Sequence, residues 1–107
     1  MSSYVFIESR DPFESRDTRF IEETAVEVKE RGHEVTVFLV QNGVFAARNS
    51  ARRLDRLTDA GVSVLADDVS LRERGIKPDD LAPGIREAGI EALVDAIVQE
   101  NTKALWH

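Results

Sequence analysis

Cysteine is absent from the 107 residues of this chain, and its absence limits the chemistry that the chain can perform. It excludes disulfide bonds, thiolate catalysis, and zinc or iron–sulfur sites with cysteine ligands. Positive charge is also in the minority, because 14 lysine and arginine residues stand against 20 aspartate and glutamate residues, for a formal net charge of −6. A nucleic-acid partner would require clustered basic charge, so we expect none.

Long apolar runs are missing as well. No segment approaches the length needed to span a membrane, and no apolar stretch near the first residues resembles a signal peptide. We therefore expect a cytoplasmic protein without a membrane partner. A glycine-rich phosphate-binding motif is also absent, which argues against nucleotide binding, and we expect no cofactor.

What the chain does contain is typical of one globular domain over residues 1–107. Hydrophobic residues make up 42% of the chain and charged residues 32%, a balance that separates it from disordered sequences. A chain of this length can bury a single core without disulfides or metals.

Short apolar runs alternate with helical patterns along the chain. Residues 35–40 form an unbroken apolar or β-branched run, which is typical of a strand buried on both faces at the centre of a parallel sheet. The alternation predicts βαβ units, and hence an α/β fold: a three-layer α/β/α sandwich with a mainly parallel sheet. The other expected strands are residues 4–7, 62–66 and 104–106, with residues 85–88 as either a fourth short strand or the start of a helix.

Four helical segments are predicted between these strands. In the first, Phe20 and Ile21 belong to the apolar face, while Glu22 and its charged neighbours are expected to face water. The second is predicted over residues 44–60, where Asn49-Ser50 could break it into two pieces, and a short third helix begins near Asp67. The last helix carries an apolar stripe at helical spacing, formed by Ile90, Leu93, Val94, Ile97 and Val98.

Polar residues follow three of the predicted strands where each strand ends. Parallel strands deliver the loops after their carboxyl ends to one edge of the sheet, which is where open α/β sheets bind ligands. We therefore predict a cleft at this edge. Its candidate ligand-pocket residues are Ser9, Asp11, Gln41, Asn42, Gly43, Asp67 and Asp68.

Each of these groups also has a purely structural interpretation. Asp67 or Asp68 could cap the short third helix, or act as a general acid or base, or bind Mg²⁺ together with Asp11. The turn Gln41-Asn42-Gly43 could hold an anion, or it could be a turn in which Asn42 or Gly43 adopts a positive φ. A basic cluster formed by Arg48, Arg52, Arg53 and Arg56 could be a solvated helix face or an anion site.

Several sequence features also stand in a recognisable order. A polar loop with Asp11-Pro12 follows the first strand, the run Gly32-His33-Glu34 leads into the central strand, and Gln41-Asn42-Gly43-Val44 ends it. Next come Ala60-Gly61-Val62-Ser63-Val64-Leu65 with its following Asp67, the segment from Ser70 to Ile76, and a closing Leu105-Trp106. In this order, over about residues 4–107, the chain resembles the DsrE/DsrF/TusD-like family of sulfur-relay proteins.

The resemblance implies a three-layer α/β/α domain that forms homo-oligomers, as a homotrimer or homohexamer. In members that have the cysteine, it also implies carriage of sulfur as a persulfide. Asp67 looks like the occupant of the family cysteine's position, and a carboxylate cannot carry a sulfane sulfur.

We therefore expect a cysteine-free member that acts as a small-ligand or partner-binding and assembly subunit, with no catalytic residue assigned and no bound metal. Other sulfur-relay proteins are its candidate partners. The alternative is a small enzyme or ligand-binding protein that uses Asp11, Asp67 and Asp68 with a divalent cation. A phosphoacceptor receiver domain is disfavoured, because Glu8 and Asp11 are separated where that class has an adjacent acidic pair.

Overall fold

A five-stranded parallel sheet forms the centre of the protein in a computed structural model that describes residues 2–107. The strand order is β4-β3-β2-β1-β5, and every neighbouring pair is parallel. The α/β fold predicted from the sequence is confirmed, and residues 85–88 are a strand. The strands are β1 Ser3–Glu8, β2 Glu34–Leu39, β3 Ser63–Asp67, β4 Ile85–Ala88 and β5 Thr102–Trp106.

The middle position of β2 follows from its sequence. Its residue Val37 lies between Phe6 of β1 and Val64 of β3, and all three side chains are buried. Because β-branched and aromatic side chains pack well on a pleated surface, an unbroken run of them is most stable where both faces of a strand are covered.

Helices cover both faces of the sheet, but unequally. The helices are α1 Thr18–Glu30, α2 Asp55–Asp59, α3 Asp68–Glu73 and α4 Ile90–Ile97, with two 3₁₀ segments at Gln41–Ala47 and Pro78–Asp80. Side chains of α1, α2 and α3 pack with one cluster of buried sheet residues, and Leu93 of α4 packs with the cluster on the other face. From β1 to β4 the chain adds strands towards one edge of the sheet, and it then crosses back to place β5 at the other edge. Because this crossover runs in the opposite direction, its helix α4 lies on the opposite face of the sheet. None of the helices in residues 2–107 is long and apolar enough to cross a membrane.

The predicted helix over residues 44–60 is wrong in its extent. The chain instead forms the 3₁₀ segment Gln41–Ala47, an irregular stretch, and the short α2. Two distant contacts hold the irregular stretch: Arg48 pairs with Leu81 in an isolated antiparallel bridge, and the Asn49 amide donates to the Asp80 carbonyl over 2.6 Å. These long-range bonds replace the local ones that a continuous helix would make.

The predicted buried face of α1 is also partly wrong. Phe20 is 68% exposed, whereas Glu22 is only 6% exposed and lies on the inner face with Thr18, Ile21 and Ala25. Positions 18, 21, 22 and 25 follow helical spacing, so they form one face of the helix. Glu22 is accommodated there because Arg53 donates to its carboxylate over 3.0 Å.

Candidate functional site

Asp67, the last residue of β3, caps the helix that follows it. Its Oδ2 accepts hydrogen bonds from the Ser70 backbone amide at 2.9 Å and from the Ser70 hydroxyl at 2.7 Å. Ser70 Oγ in turn accepts a bond from the Gln41 amide at 2.8 Å. The capping interpretation is therefore confirmed for Asp67, and the same bonds join the end of β3 to the turn after β2.

Asn42 makes a second connection between this turn and α3. Its Oδ1 accepts hydrogen bonds from Arg74 Nε at 3.1 Å and Nη2 at 3.0 Å, while Arg74 Nη1 donates to the Ser70 carbonyl at 3.1 Å. The structure thus brings Gln41, Asn42 and Asp67 together through the side chains of Ser70 and Arg74.

Gly43 has a different role from the one predicted for it. The left-handed residue of the turn is Gln41, with φ 50°, and not Asn42 or Gly43. A Cβ atom at Gly43 would overlap the carbonyl oxygen of Glu8. Gly43 is therefore required because the 3₁₀ segment passes very close to the end of β1.

Ser9 and Asp11 make their contacts elsewhere, Ser9 with the residue after β5 and Asp11 within its own loop. Ser9 Oγ donates to the His107 carbonyl over 2.9 Å, and Asp11 Oδ1 accepts from the Phe13 amide over 2.9 Å. Asp68, next to the cap, is half-buried. Within residues 2–107, no three His, Asp or Glu side chains are placed to hold a metal ion together, so Asp11, Asp67 and Asp68 do not form such a group.

Glu8 and His107 form a polar pair that the sequence did not reveal. His107 Nδ1 lies 2.9 Å from both carboxylate oxygens of Glu8, whose side chain is 7% exposed. The pair lies at the carboxyl ends of β1 and β5, where the strand order changes direction. This is the topological switch point at which open α/β sheets place ligands. Because Glu8 and His107 are 99 positions apart in the chain, no local sequence pattern indicates that they form a pair.

Glu22 is the second buried carboxylate that sequence analysis missed. Its Oε1 accepts from Arg53, but its buried Oε2 has no hydrogen-bond partner among residues 2–107. Burial raises the pKa of Glu22 above its ordinary value of 4.5, and the nearby Glu8 adds to the rise, while Arg53, Arg56 and Arg19 oppose it. Glu8 and Glu22 both line a cavity of about 10 Å³, roughly the room that one water molecule needs.

A larger open cleft has Arg74 in its wall. Its volume is about 440 Å³. We call it the Arg48 cleft. It is lined by Phe45, Arg48, Asn49, Ser50, Arg74, Gly75, Ile76, Asp79 and Asp80.

The basic cluster singled out in the sequence does not form a single solvated helix face. Arg52 pairs with Asp55 at 3.1 Å, and Arg53 pairs with Glu22 at 3.0 Å. Arg48 lines the cleft instead. Arg56, the fourth member of the cluster, is exposed on α2. The arginines do not share one face because the stretch between the 3₁₀ segment and α2 is irregular.

Comparison with known proteins identifies the class to which this fold and this edge of the sheet belong. The model of the DsrE/DsrF-like family matches residues 2–103. The chain therefore belongs to the DsrE/DsrF-like family, and its sequence contains no cysteine.

Solved structures show the same fold over the whole chain. The ychN protein from E. coli is similar with a TM-score of 0.87 and 19% identity, covering 100% of both chains. MTH1491 from Methanobacterium thermoautotrophicum, described as a protein of unknown function, has a TM-score of 0.83 and 20% identity, again over 100% of both chains. BT1422 from Bacteroides thetaiotaomicron, a conserved protein of unknown function, has a TM-score of 0.77 and 16% identity, covering 99% of this chain and 95% of its own. No curated protein is significantly similar in sequence.

Proposed function

We propose that this chain is a binding and assembly subunit of the DsrE/DsrF-like family that does not carry persulfide sulfur. The observation that carries the proposal is the state of Asp67. The resemblance places this residue where sulfur-carrying members have their cysteine, and its carboxylate is engaged by the amide and hydroxyl of Ser70. Sulfane transfer requires a thiolate, which these 107 residues do not contain.

The direct test of this proposal is exposure of the protein to a persulfide donor, followed by intact mass measurement. We expect no stable gain of a sulfur atom, because the chain has no thiol that could attack the donor and hold the sulfur as a persulfide. A stable gain of one sulfur atom on the unmodified chain would overturn the proposal.

Substitution of Asp67 by cysteine tests the position of the family site. In Asp67→Cys, the Ser70 amide and hydroxyl would hydrogen-bond a thiolate, which lowers the pKa of a thiol and favours its reaction. We therefore expect Asp67→Cys to accept sulfur faster at neutral pH than Asp59→Cys, a matched variant at an exposed position of α2. An inert thiol at position 67, with a reactive one at position 59, would mean that the family site lies elsewhere.

The assembly half of the proposal is supported by an apolar surface on the thinner side of the sheet. The outer face of α4 and the residue that follows the helix expose large apolar side chains, among them Ile90 at 56% and Val98 at 70%. The neighbouring edge strand β5 exposes Trp106 at 66%. We call this area the assembly surface. It consists of Ile90, Val94, Ile97, Val98 and Trp106.

We propose that a second copy of the chain covers the assembly surface. Monomeric proteins rarely leave a large apolar patch next to an open strand edge, because both features promote association. The family resemblance implies homo-oligomers, with a trimer or hexamer as the expected state. A net charge of −6 is compatible with this, because an interface can have an apolar core and a charged rim.

A further inference from the structure

Arg48 is held in the wall of its cleft in a fixed orientation. Its Nε donates to the Phe45 carbonyl over 2.9 Å, and its guanidinium carbon lies 5.3 Å from the centre of the Phe45 ring and 5.9 Å from that of Phe13. Both distances are within the range of a cation–π contact. These three contacts restrict the rotation of a side chain that would otherwise lose much entropy on binding a ligand.

The two terminal nitrogens of Arg48 are left without partners by this arrangement. Across residues 2–107, neither nitrogen makes a hydrogen bond or an ion pair, although 20 acidic residues are present in the chain. Arg52 and Arg53, only a few positions away, are both paired with carboxylates. A fixed guanidinium with two free donors is the geometry that binds a carboxylate in bidentate fashion.

Arg74 contributes a second positive charge to the same cleft. Its guanidinium carbon is 5.9 Å from the centre of the Phe45 ring, so Phe45 lies near both arginines. Asn42 and the Ser70 carbonyl hold Arg74 in place through three hydrogen bonds. Its only ion pair in the described chain is a 3.8 Å contact with the exposed Glu73.

Two aspartates, Asp79 and Asp80, also line the cleft and limit the charge of a ligand. Asp80 Oδ2 already accepts a bond from the Lys77 amide at 2.9 Å, and neither aspartate forms an ion pair with a residue in 2–107. Together they balance the charges of Arg48 and Arg74. A ligand with one negative charge is therefore favoured over a dianion, which the aspartates would repel.

We propose that the Arg48 cleft binds a small monoanionic carboxylate, with the carboxylate on the terminal nitrogens of Arg48 and Arg74 supplying additional positive charge. This site is separate from Asp67 and from the assembly surface. The proposal therefore goes beyond the proposed function and does not depend on it.

Nuclear magnetic resonance of ¹⁵N-labelled protein tests the proposal directly. Sodium acetate is the probe, and sodium chloride keeps the ionic strength constant. We expect saturable shifts of the Arg48 Nε–H signal and of the Asn49 and Ser50 amides, with weaker binding of sulfate than of acetate. Shifts that do not saturate, or tighter binding of sulfate, would overturn the proposal.

Three variants identify the groups responsible. Arg48→Gln should lower acetate affinity at least about tenfold, since it removes a charge-assisted bidentate contact. Arg48→Lys keeps the charge but lacks the planar pair of donors, so it should bind acetate more weakly than the wild-type protein. Arg86→Gln, at an exposed position on β4 outside the cleft, should leave acetate affinity unchanged.

The Arg48 variants could lose acetate binding only because they misfold. The variant Asp79→Asn addresses this alternative, since the proposal predicts a gain of binding for it. Removal of this negative charge should raise the affinity for acetate, and should raise the affinity for the dianion sulfate more, because it removes repulsion of the ligand. A damaged fold could not produce such a gain in affinity. An unchanged acetate affinity in Arg48→Gln, or a decrease in Asp79→Asn, would show that the carboxylate does not bind in this cleft.

Discussion

Gly43 shows how a single residue can determine the geometry of the sheet edge. It lacks the atom that would overlap the Glu8 carbonyl oxygen, and this allows the 3₁₀ segment to lie against the end of β1. We expect Gly43→Ala to lower the free energy of unfolding by about 1–3 kcal/mol, because backbone must move to admit the methyl group. Urea denaturation measures the loss.

Gly89→Ala is the matched control for this prediction. A Cβ at Gly89 would overlap only the end of the Glu91 side chain, which can rotate away, and would make an ordinary contact with Asp68 Oδ2 at 3.8 Å. We expect a clearly smaller loss of stability than in Gly43→Ala. Equal losses in the two variants would contradict the assignment of Gly43 to a close backbone approach.

Glu22 makes a prediction about pH, because its pKa is raised in the folded protein above the ordinary value of 4.5. The folded state therefore holds this proton more tightly than the unfolded state. The stability that Glu22 contributes is fully present below about pH 4.5 and is lost as the pH rises through the folded pKa. In Glu22→Gln this titration is absent.

Urea denaturation at a series of pH values measures the effect as a difference between two proteins. The free energy of unfolding of the wild type, minus that of Glu22→Gln, should fall as the pH rises above about 4.5 and then level off. A difference that rises with pH would contradict the raised pKa.

Residues such as Glu22 mark a limit of sequence analysis. The sequence places Phe20, Ile21 and Glu22 next to one another, and their hydrophobicity favours Phe20 as the buried one. The structure buries Glu22 because Arg53, 31 positions away, supplies its partner. A long-range ion pair of this kind overrides the local pattern and leaves no trace in helical spacing.

At the scale of elements, the cap of α3 connects two loops of the sheet edge. We expect Asp67→Ala to lower the free energy of unfolding by about 0.5–2 kcal/mol, since the Ser70 amide and hydroxyl lose their acceptor. Asp67→Asn retains an oxygen acceptor and should lose less. Urea denaturation compares the two variants, and equal losses would mean that the cap contributes little.

The strands were predicted more accurately than the segments between them, for a physical reason. The apolar run that indicates a buried strand lies within the strand itself, so the position of β2 could be predicted from residues 35–40 alone. The segment over residues 44–60 depends on bonds to Asp80 and Leu81, which lie beyond the next strand. Its helical appearance in the sequence was therefore misleading.

At the scale of the whole molecule, strand order separates what could be predicted from what could not. The alternation of elements indicates a parallel sheet, and that was sufficient to bring Gln41, Asn42 and Asp67 to one edge. Only the three-dimensional order places β5 beside β1, and with it His107 beside Glu8. The candidate pocket predicted from the sequence named Ser9, Asp11 and residues of the β2 and β3 loops, but it did not name the pair of side chains at the switch point.

The assembly surface predicts that the protein forms an oligomer, which can be tested by measuring the mass of the particle in solution. If a second copy covers this surface, light scattering should give a multiple of 12.0 kDa, with a trimer or hexamer expected. Val98→Glu and Trp106→Glu place a charge on side chains that are 70% and 66% exposed in the single chain, so each chain should still fold. Burial of that unpaired charge in an interface is strongly unfavourable, and we expect both variants to shift towards 12.0 kDa.

Phe20→Glu, at a position 68% exposed on the opposite face of the sheet, should leave the oligomer intact. A wild-type mass of 12.0 kDa at high micromolar concentration would contradict assembly itself, and dissociation by Phe20→Glu alone would move the interface to α1.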